Sequence, residues 1–169
     1  MMENTLLHTV HDKLKNKFGD DIITAEQHYD FPVFTVSKKK IIEIISFLYN
    51  EEDLGFRFLT TMCGLQFPDN KGGEFCMMYQ LHNLPQNWRI RLKAYTTSND
   101  MEYPTLTGVF STANWMEREA YDFFGFTFKG HPNLIRILNV EDMNYFPMRK
   151  EYPLEEGTRE DKNDAMFGR

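Results

Sequence analysis

The stretch TANWMEREAYDFFGFTFKGHPNLIRIL, residues 112–138, has the most specific residue order in this chain. A tryptophan precedes three consecutive charges, and an acid with two aromatic residues, a glycine and then Gly130-His131-Pro132 follow. Four ionisable side chains fall within residues 117–122, whose other positions are typical of an apolar helix. Packing alone does not require this order, so the stretch indicates a surface built for a specific partner.

The same stretch predicts a helix with defined ends. It runs over about residues 113–124 and can be capped by Thr112 or Asn114. Gly125 is a typical helix stop, because glycine adopts the left-handed conformation without strain. The predicted apolar face consists of Met116, Ala120, Phe123 and Phe124.

The charges of this helix favour docking over catalysis. Glu117 and Glu119 project about 200° apart on a helix, so they cannot converge on one substrate. Arg118 and Asp122 are four residues apart and are predicted to pair with each other. We interpret the charged face as one that docks onto another protein. A solvated face and a catalytic pair are the alternatives.

The histidines of the chain do not predict a catalytic or metal centre. His131 lies between Gly130 and Pro132, where a loop-shaping or interface hydrogen bond is the favoured role and a proton relay the alternative. His8 and His11 have a ligand spacing on a helix, but no cysteine or third histidine is near them in the sequence. The sequence also lacks the GxGxxG, GxxxxGK[ST], GxSxG and HExxH motifs.

Length and composition predict one globular domain that does not bind nucleic acid. The 169 residues are 41% hydrophobic and 15% aromatic, enough for a core, and the net charge of −6 comes with only short basic runs. No apolar run approaches the ~18 residues of a membrane span, and no targeting segment is expected. Cys63 and Cys76 are interpreted as buried free thiols, with a disulfide or half of a metal site as alternatives.

The pattern of apolar residues predicts an α+β fold, in which a small mixed or antiparallel sheet with a central meander is covered by helices. Trp88, Ile90, Leu92 and Ala94 alternate with Arg89, Arg91 and Lys93, which predicts a strand with one buried and one basic face. The other predicted elements are helices over about 4–18 and 38–50, the latter capped by Ser37, and strands over 21–24, 33–36, 56–67, 74–82 and, at an edge, 106–110.

The domain is predicted to cover residues 1–140. Pro147, Pro153 and Gly157 interrupt any periodicity after residue 140, and the last fifteen residues are mostly polar. Residues 141–169 are therefore expected to form an extended tail that wraps a partner.

Residues 104–154 resemble the C-subunit family, also called the 30 kDa subunit family, of respiratory NADH:quinone oxidoreductase, known as complex I. The matching pieces are PTLTGVF (104–110), ANWMERE (113–119), YDFFG (121–125), Gly130-His131-Pro132 through Arg136-Ile137-Leu138, and PMRKEYPL (147–154). Residues 56–97 are more loosely similar to the central strands of the family, and the first fifty match only in layout. Ile135 stands where the family usually has a basic residue.

The resemblance implies a subunit without a redox centre or catalytic centre of its own. Its expected partners are the large quinone-site subunit, which is related to hydrogenase large subunits, and the small subunit that carries the last iron–sulfur cluster. FMN and the iron–sulfur clusters are then in partner subunits, and the chain reaches the cytoplasmic face of the bacterial inner membrane only through them. The residues implied at the partner interface are Trp115, Glu117, Arg118, Glu119, Asp122, Gly130, His131, Pro132, Arg136, Arg149, Lys150 and Pro153.

Two other functions stay open. The same module can serve a related machine, such as an energy-converting membrane hydrogenase or another quinone-reducing dehydrogenase. A free-standing enzyme that uses His131 with Glu117 or Asp122 is the remaining hypothesis, although no cofactor motif or activated nucleophile supports it.

Overall fold

The computed structural model describes residues 3–152, and their side chains from residue 6 onward. Within this range the three helices lie close to their predicted positions. The elements in chain order are α1 (Glu3–Phe18), β1 (Ile22–His28), β2 (Phe31–Val36), α2 (Ile41–Asn50), β3 (Phe58–Gln66), β4 (Phe75–Asn83), β5 (Trp88–Thr96), β6 (Glu102–Pro104), α3 (Ala113–Phe124) and β7 (Thr127–Lys129).

Five of the strands form one mixed sheet in the order β1-β2-β5-β4-β3. The pairs β1–β2, β3–β4 and β4–β5 are antiparallel, and β2 lies parallel to β5. The predicted α+β class and the central meander are therefore confirmed. β6 and β7 form a separate parallel pair.

The edge strand predicted at residues 106–110 is wrong, because this segment forms a turn. The N–H groups of Val109 and Phe110 donate to the carbonyl of Leu106 at 2.9 and 2.8 Å. Backbone groups that close a turn in this way cannot form a sheet ladder. The strand in this region is β6, which ends just before the turn. It pairs with β7, the strand that follows α3.

The core lies between one face of the sheet and the helices. The predicted stripe of α2 is confirmed, since Ile41, Ile44, Ile45 and Leu48 are all buried. Ser37 precedes a short 3₁₀ turn at Lys38–Lys40 and makes no capping hydrogen bond with its side chain. The sheet contributes its inward side chains to the same cluster: Met77, Tyr79, Leu81, Ile90, Leu92 and Ala94.

The other face of the sheet presents the basic side chains of β5, as the alternation predicts. Arg89 is exposed, and Arg91 and Lys93 are half-buried. Their inward neighbours Ile90 and Leu92 are fully buried. The predicted alternation is therefore confirmed, and it places a row of cations opposite the helical layer.

Both cysteines are free thiols. Cys76 is buried, and this burial raises the pKa of its thiol to about 12. Cys63 is half-buried, and its pKa is also raised, first by burial and then by the nearby charge of Glu119. A raised pKa keeps a thiol protonated at neutral pH and therefore weakly nucleophilic.

Two buried tyrosines on the core side allow a matched test of this packing. Both lie fully buried, but the Tyr103 hydroxyl donates to the carbonyl of Ala94 at 2.7 Å, whereas the Tyr79 hydroxyl has no partner among the described residues. A buried polar group without a partner destabilises the fold. Tyr79→Phe should leave the free energy of unfolding unchanged or raise it, and Tyr103→Phe should lower it by about 1 kcal/mol.

Urea denaturation of the two purified full-length variants measures this difference. A larger loss of stability in Tyr79→Phe than in Tyr103→Phe would contradict the arrangement of the two hydroxyl groups.

Candidate functional site

Helix α3 carries five of the twelve residues that the resemblance places at the partner interface. It ends at Gly125, which has a φ of +82°. A Cβ atom there would lie 2.6 Å from the Phe146 ring and 2.7 Å from the Arg149 guanidinium. The left-handed backbone and this close approach both require glycine. Gly125 therefore lets residues 146–149 pack against the end of the helix.

The buried face of α3 differs from the predicted apolar face. Its buried residues are Ala113, Glu117, Ala120 and Asp122. Of the predicted face only Ala120 is fully buried, and Met116, Phe123 and Phe124 are half-buried. Two carboxylates thus lie on the inside of the helix, which a pattern of apolar residues cannot indicate.

Glu117 fastens the turn at residues 105–110 to the helix. Its carboxylate accepts the N–H of Leu106 at 2.6 Å and the hydroxyl of Thr105 at 2.7 Å. Its side chain is fully inaccessible to solvent. Burial raises the pKa of Glu117, and the hydrogen bonds from Leu106 and Thr105 only partly oppose this rise.

His131 closes the loop that follows β7, beside Glu117. Its Nδ1 accepts the N–H of Asn133 at 3.0 Å, and its Nε2 lies 3.1 Å from the carbonyl of Asn114. These partners assign the neutral tautomer with the proton on Nε2, because Nδ1 must accept. The Glu117 Oε2 atom lies 4.0 Å from Nε2. The favoured loop-shaping role of His131 therefore agrees with its hydrogen bonds.

Asp122 holds the segment of residues 131–140, which we call the strap, along α3. Its side chain is fully inaccessible and lies 2.7 Å from Nη1 of Arg136. The other carboxylate oxygen accepts three consecutive N–H groups, those of Ile137, Leu138 and Asn139, at 2.8–3.1 Å. Burial alone would raise the pKa of Asp122, but these N–H groups and the guanidinium outweigh burial and hold it well below its usual range.

The predicted pair of Arg118 with Asp122 does not form. Arg118 instead donates to the carbonyls of Ile135 and Arg136 at 3.1 and 2.9 Å, and its guanidinium lies over the Trp115 ring. Asp122 takes Arg136 as its partner because the strap brings that guanidinium beside it. Arg136 of the strap thus takes the place that Arg118 would have as the partner of Asp122 in an isolated helix.

Arg149 joins the segment after residue 140 to the body of the domain. Its Nε donates to the carbonyl of Phe124 at 2.8 Å, and its guanidinium lies 4.7 Å from the Phe146 ring centre. The N–H of the exposed Lys150 donates to the side chain of Gln66 on β3 at 2.7 Å. The described part of the predicted tail, residues 141–152, therefore packs on the domain, and the division at residue 140 stays a prediction. Pro153 lies outside the described residues.

Several side chains of α3 and the strap remain at the surface. Trp115 and Leu138 are 61% and 67% exposed, and Ile135 and Val140 are exposed as well. We call these four residues the docking ridge. Gly130, Pro132 and Glu119 are also exposed. The predicted interface residues therefore divide into two groups: Glu117 and Asp122 are enclosed by their own chain, whereas Trp115 and Glu119 are available to a partner.

Some groups of this site have no signal in the amino-acid sequence. The two carboxylates are stabilised by hydrogen bonds from Thr105, from the N–H of Leu106 and from three N–H groups of the strap. Most of these donors are backbone groups, which a pattern of residue types does not reveal. Ile135 was noted only as a departure from the family, and the structure places it on the docking ridge.

The arrangement can hold parts of the chain together. Within residues 3–152 no group of three His, Cys, Asp or Glu side chains is placed to hold a metal ion. A cavity of about 550 Å³, lined by Phe58, His82, Leu84 and Trp88 among others, lies at the far end of β3 and β4. None of the helices in the described part of the chain is long and apolar enough to cross a membrane.

Comparison with known proteins identifies the family. Residues 34–158 match the family described as respiratory-chain NADH dehydrogenase, 30 Kd subunit, and the chain belongs to it. The NADH-quinone oxidoreductase C-subunit 2 of Rhizobium etli (strain CIAT 652) is 39% identical over 142 residues, which are 83% of this chain and 74% of that protein. The C-subunit of the same enzyme from Citrifermentans bemidjiense is 37% identical over 148 residues, 88% and 90% of the two chains.

Solved structures show the same fold. A trypsin-resistant fragment of Nqo5 has a TM-score of 0.64 and 28% identity, and the match covers 76% of this chain and 98% of the fragment. A chain of the membrane-bound sulfane sulfur reductase, an archaeal respiratory membrane complex, has a TM-score of 0.72 at 20% identity over 87% and 85% of the two chains. The family predicted from residues 104–154 is thereby confirmed.

Asp122→Asn should lower the free energy of unfolding at pH 7 by about 3 kcal/mol, because it leaves Arg136 buried without its anion and sets an amide against backbone donors. The carboxylate has a depressed pKa, so its stabilisation is complete above the usual Asp pKa of about 3.9 and is lost as the pH falls toward the folded value. The variant should therefore lose less stability than the parent between pH 6 and pH 3.

Urea denaturation across this pH range measures both effects. The matched control is Asp142→Asn, because Asp142 is exposed and lies just after the strap. Equal stability of the two variants at pH 7 would contradict the role given to Asp122.

Glu117→Gln should be as stable as the parent at pH 5 and more stable at pH 8, by about 1 kcal/mol. The pKa of Glu117 is raised, so the carboxyl group stabilises the fold below its usual pKa, and this contribution is lost as the pH rises through the folded value. The amide keeps one acceptor for Leu106 and one donor for Thr105 and does not ionise.

Glu117→Ala is the comparison, since it removes both hydrogen bonds, leaves a cavity and should cost about 3 kcal/mol at either pH. The free energies of unfolding of both variants, measured at pH 5 and pH 8, show whether Glu117 stabilises the fold through its hydrogen bonds or through its charge. A Gln variant as unstable as the Ala variant would mean that the charge itself is needed.

Proposed function

We propose that the chain is a structural subunit, without a redox centre, in the peripheral arm of NADH:quinone oxidoreductase. It supports the subunit that forms the quinone site while the enzyme passes electrons from NADH to quinone and couples this transfer to ion translocation. The observation that carries the proposal is the docking ridge, because three apolar side chains stay exposed on a strap that buried ionic contacts hold in place, and Trp115 of α3 is exposed as well. Exposed apolar side chains on a rigid support are typical of protein interfaces.

The proposed partners follow from the family. They are the large quinone-site subunit, which takes the docking ridge, and the small subunit with the last iron–sulfur cluster. FMN and the iron–sulfur clusters are bound by partner subunits. The chain lies at the cytoplasmic face of the bacterial inner membrane, and other subunits hold it there.

The rigidity of the strap supports a docking role more than a catalytic one. Asp122 accepts three N–H groups and a guanidinium, and Glu117 is occupied by the 105–110 turn. Neither carboxylate has a free oxygen directed at a cavity where a substrate could react. An interface that is held in its bound shape loses little conformational entropy on association.

The equivalent subunit of an energy-converting membrane hydrogenase, or of another quinone-reducing dehydrogenase, is the second candidate. Its support is the shared fold with the sulfane sulfur reductase complex. Relatives at 37–39% identity carry the name of the NADH-quinone oxidoreductase C-subunit, which favours the first candidate.

Leu138→Lys should remove the chain from the assembled enzyme without unfolding it. Leu138 is 67% exposed, so the change should alter the stability of the isolated chain by less than about 0.5 kcal/mol. A lysine buried in an apolar interface has no counter-charge and opposes association. The control is Ile23→Lys, because Ile23 is 61% exposed on the distant strand β1.

Tagged variants are purified in mild detergent from their native membranes, separated on a native gel and stained for NADH oxidation. The Leu138 variant should be lost from the NADH-active band and the Ile23 variant retained. Retention of both variants would refute docking through the ridge. A band with a hydrogenase catalytic subunit and no NADH activity would support the second candidate.

A further inference from the structure

A column of three cations lies on the sheet face opposite the helices. Arg89, Arg91 and Lys93 occupy alternate positions of β5, so their side chains share this face. Successive members are separated by about 6.8 Å, because a strand rises about 3.4 Å per residue. We call these three residues the basic column.

The strands on either side place neutral residues beside the basic column. On β4, Gln80 and Met78 lie opposite Arg91 and Lys93. On the other side, Val33 and Thr35 of β2 lie opposite the same two cations. The two adjacent strands therefore place no acid opposite Arg91 or Lys93, and Arg89 lies opposite His82 of β4.

No ion pair within residues 3–152 involves any of the three cations. Other cations of the same chain do have acid partners, since Lys13 lies 2.9 Å from Glu51 and Lys40 lies 2.9 Å from Glu43. Three adjacent unpaired cations are notable in a chain with a net charge of −6. Their mutual repulsion costs stability, and an external anion would offset that cost.

The central cation is held in place. Nε of Arg91 donates to Oε1 of Gln80 at 3.0 Å, and the guanidinium lies 4.7 Å from the Phe31 ring centre. A side chain fixed by such contacts loses little rotamer freedom when it binds. Its remaining guanidinium N–H groups can donate to a carboxylate in a bidentate manner.

We propose that the basic column is a second docking surface, which binds a row of carboxylates on another protein subunit of the complex. This inference rests on the proposed function. Carboxylates at alternate positions of a strand, or one turn apart on a helix, have a spacing of about 6–7 Å and match the column. The negative net charge of the chain favours such a local protein contact over nucleic acid, whose phosphates would repel the rest of the surface.

The column lies on a different element from the docking ridge, so the two surfaces can be tested separately. The test variant is Arg89→Glu with Lys93→Glu, which leaves the packed Arg91 unchanged. The control is Lys39→Glu with Lys71→Glu, because both lysines are exposed outside β5 and the change in net charge is the same. Thermal unfolding of both purified chains checks that each variant is folded.

The complex is purified through a tag on each variant, and native mass spectrometry gives its subunits at increasing salt. The test variant should retain at least tenfold less of one particular subunit than the control, while the NADH-active core remains. Equal composition of the two complexes would overturn the inference and leave the proposed function intact. If neither variant purifies with any oxidoreductase subunit, the proposed function itself is overturned.

Cross-linking of the unmodified complex identifies the bound group. A carbodiimide joins the Lys93 amine to a carboxylate in direct contact, and peptide mass spectrometry locates the joined residue. An Asp or Glu of another subunit is the expected result. A cross-link to an acid of this same chain, no cross-link at Lys93, or release of the bound material by nuclease would each overturn the proposal.

Discussion

The buried carboxylate of Asp122 is the interaction on which the surface around α3 depends. A buried carboxylate is strongly unfavourable unless hydrogen bonds and an opposite charge compensate for its lost hydration. Here the compensation comes from Arg136 and from three consecutive N–H groups of the strap. Arg136 then extends the connection, because it also donates to the carbonyls of Met143 and Tyr145. One acid therefore organises backbone over more than twenty residues.

The exposed part of the site is largely apolar because most of its charged side chains form hydrogen bonds or ion pairs within the chain. Glu117, Arg118, Asp122 and Arg136 all bind their own chain, and in doing so they hold an irregular segment against a helix. A segment without regular secondary structure needs such partners for its backbone groups. Once they are satisfied, the strap can present Leu138 and its neighbours at the surface without collapsing onto the core. The opposite side of the domain differs, because the sheet there presents unpaired cations.

Sequence reasoning predicted the regular elements better than the site. The stripe of α2 and the alternation of β5 are periodic, and periodicity follows directly from helix and strand geometry. The apolar residues at 106–110 predict an edge strand, and the hydrogen bonds that turn the chain there are not encoded in that pattern. The predicted pairing of Arg118 with Asp122 is wrong for a similar reason. Spacing within a helix cannot indicate the contacts that a strap packed alongside the helix provides.

The sequence by itself determined the family, the α+β class and the positions of the helices, because motif order and apolar spacing are properties of the chain. Only the tertiary structure decided that Glu117 and Asp122 face inward while Trp115 stays outside. The reason is physical: a carboxylate can be buried only where distant parts of the chain bring donors to it. Which donors arrive depends on the fold of the loops, and neither composition nor periodicity records it.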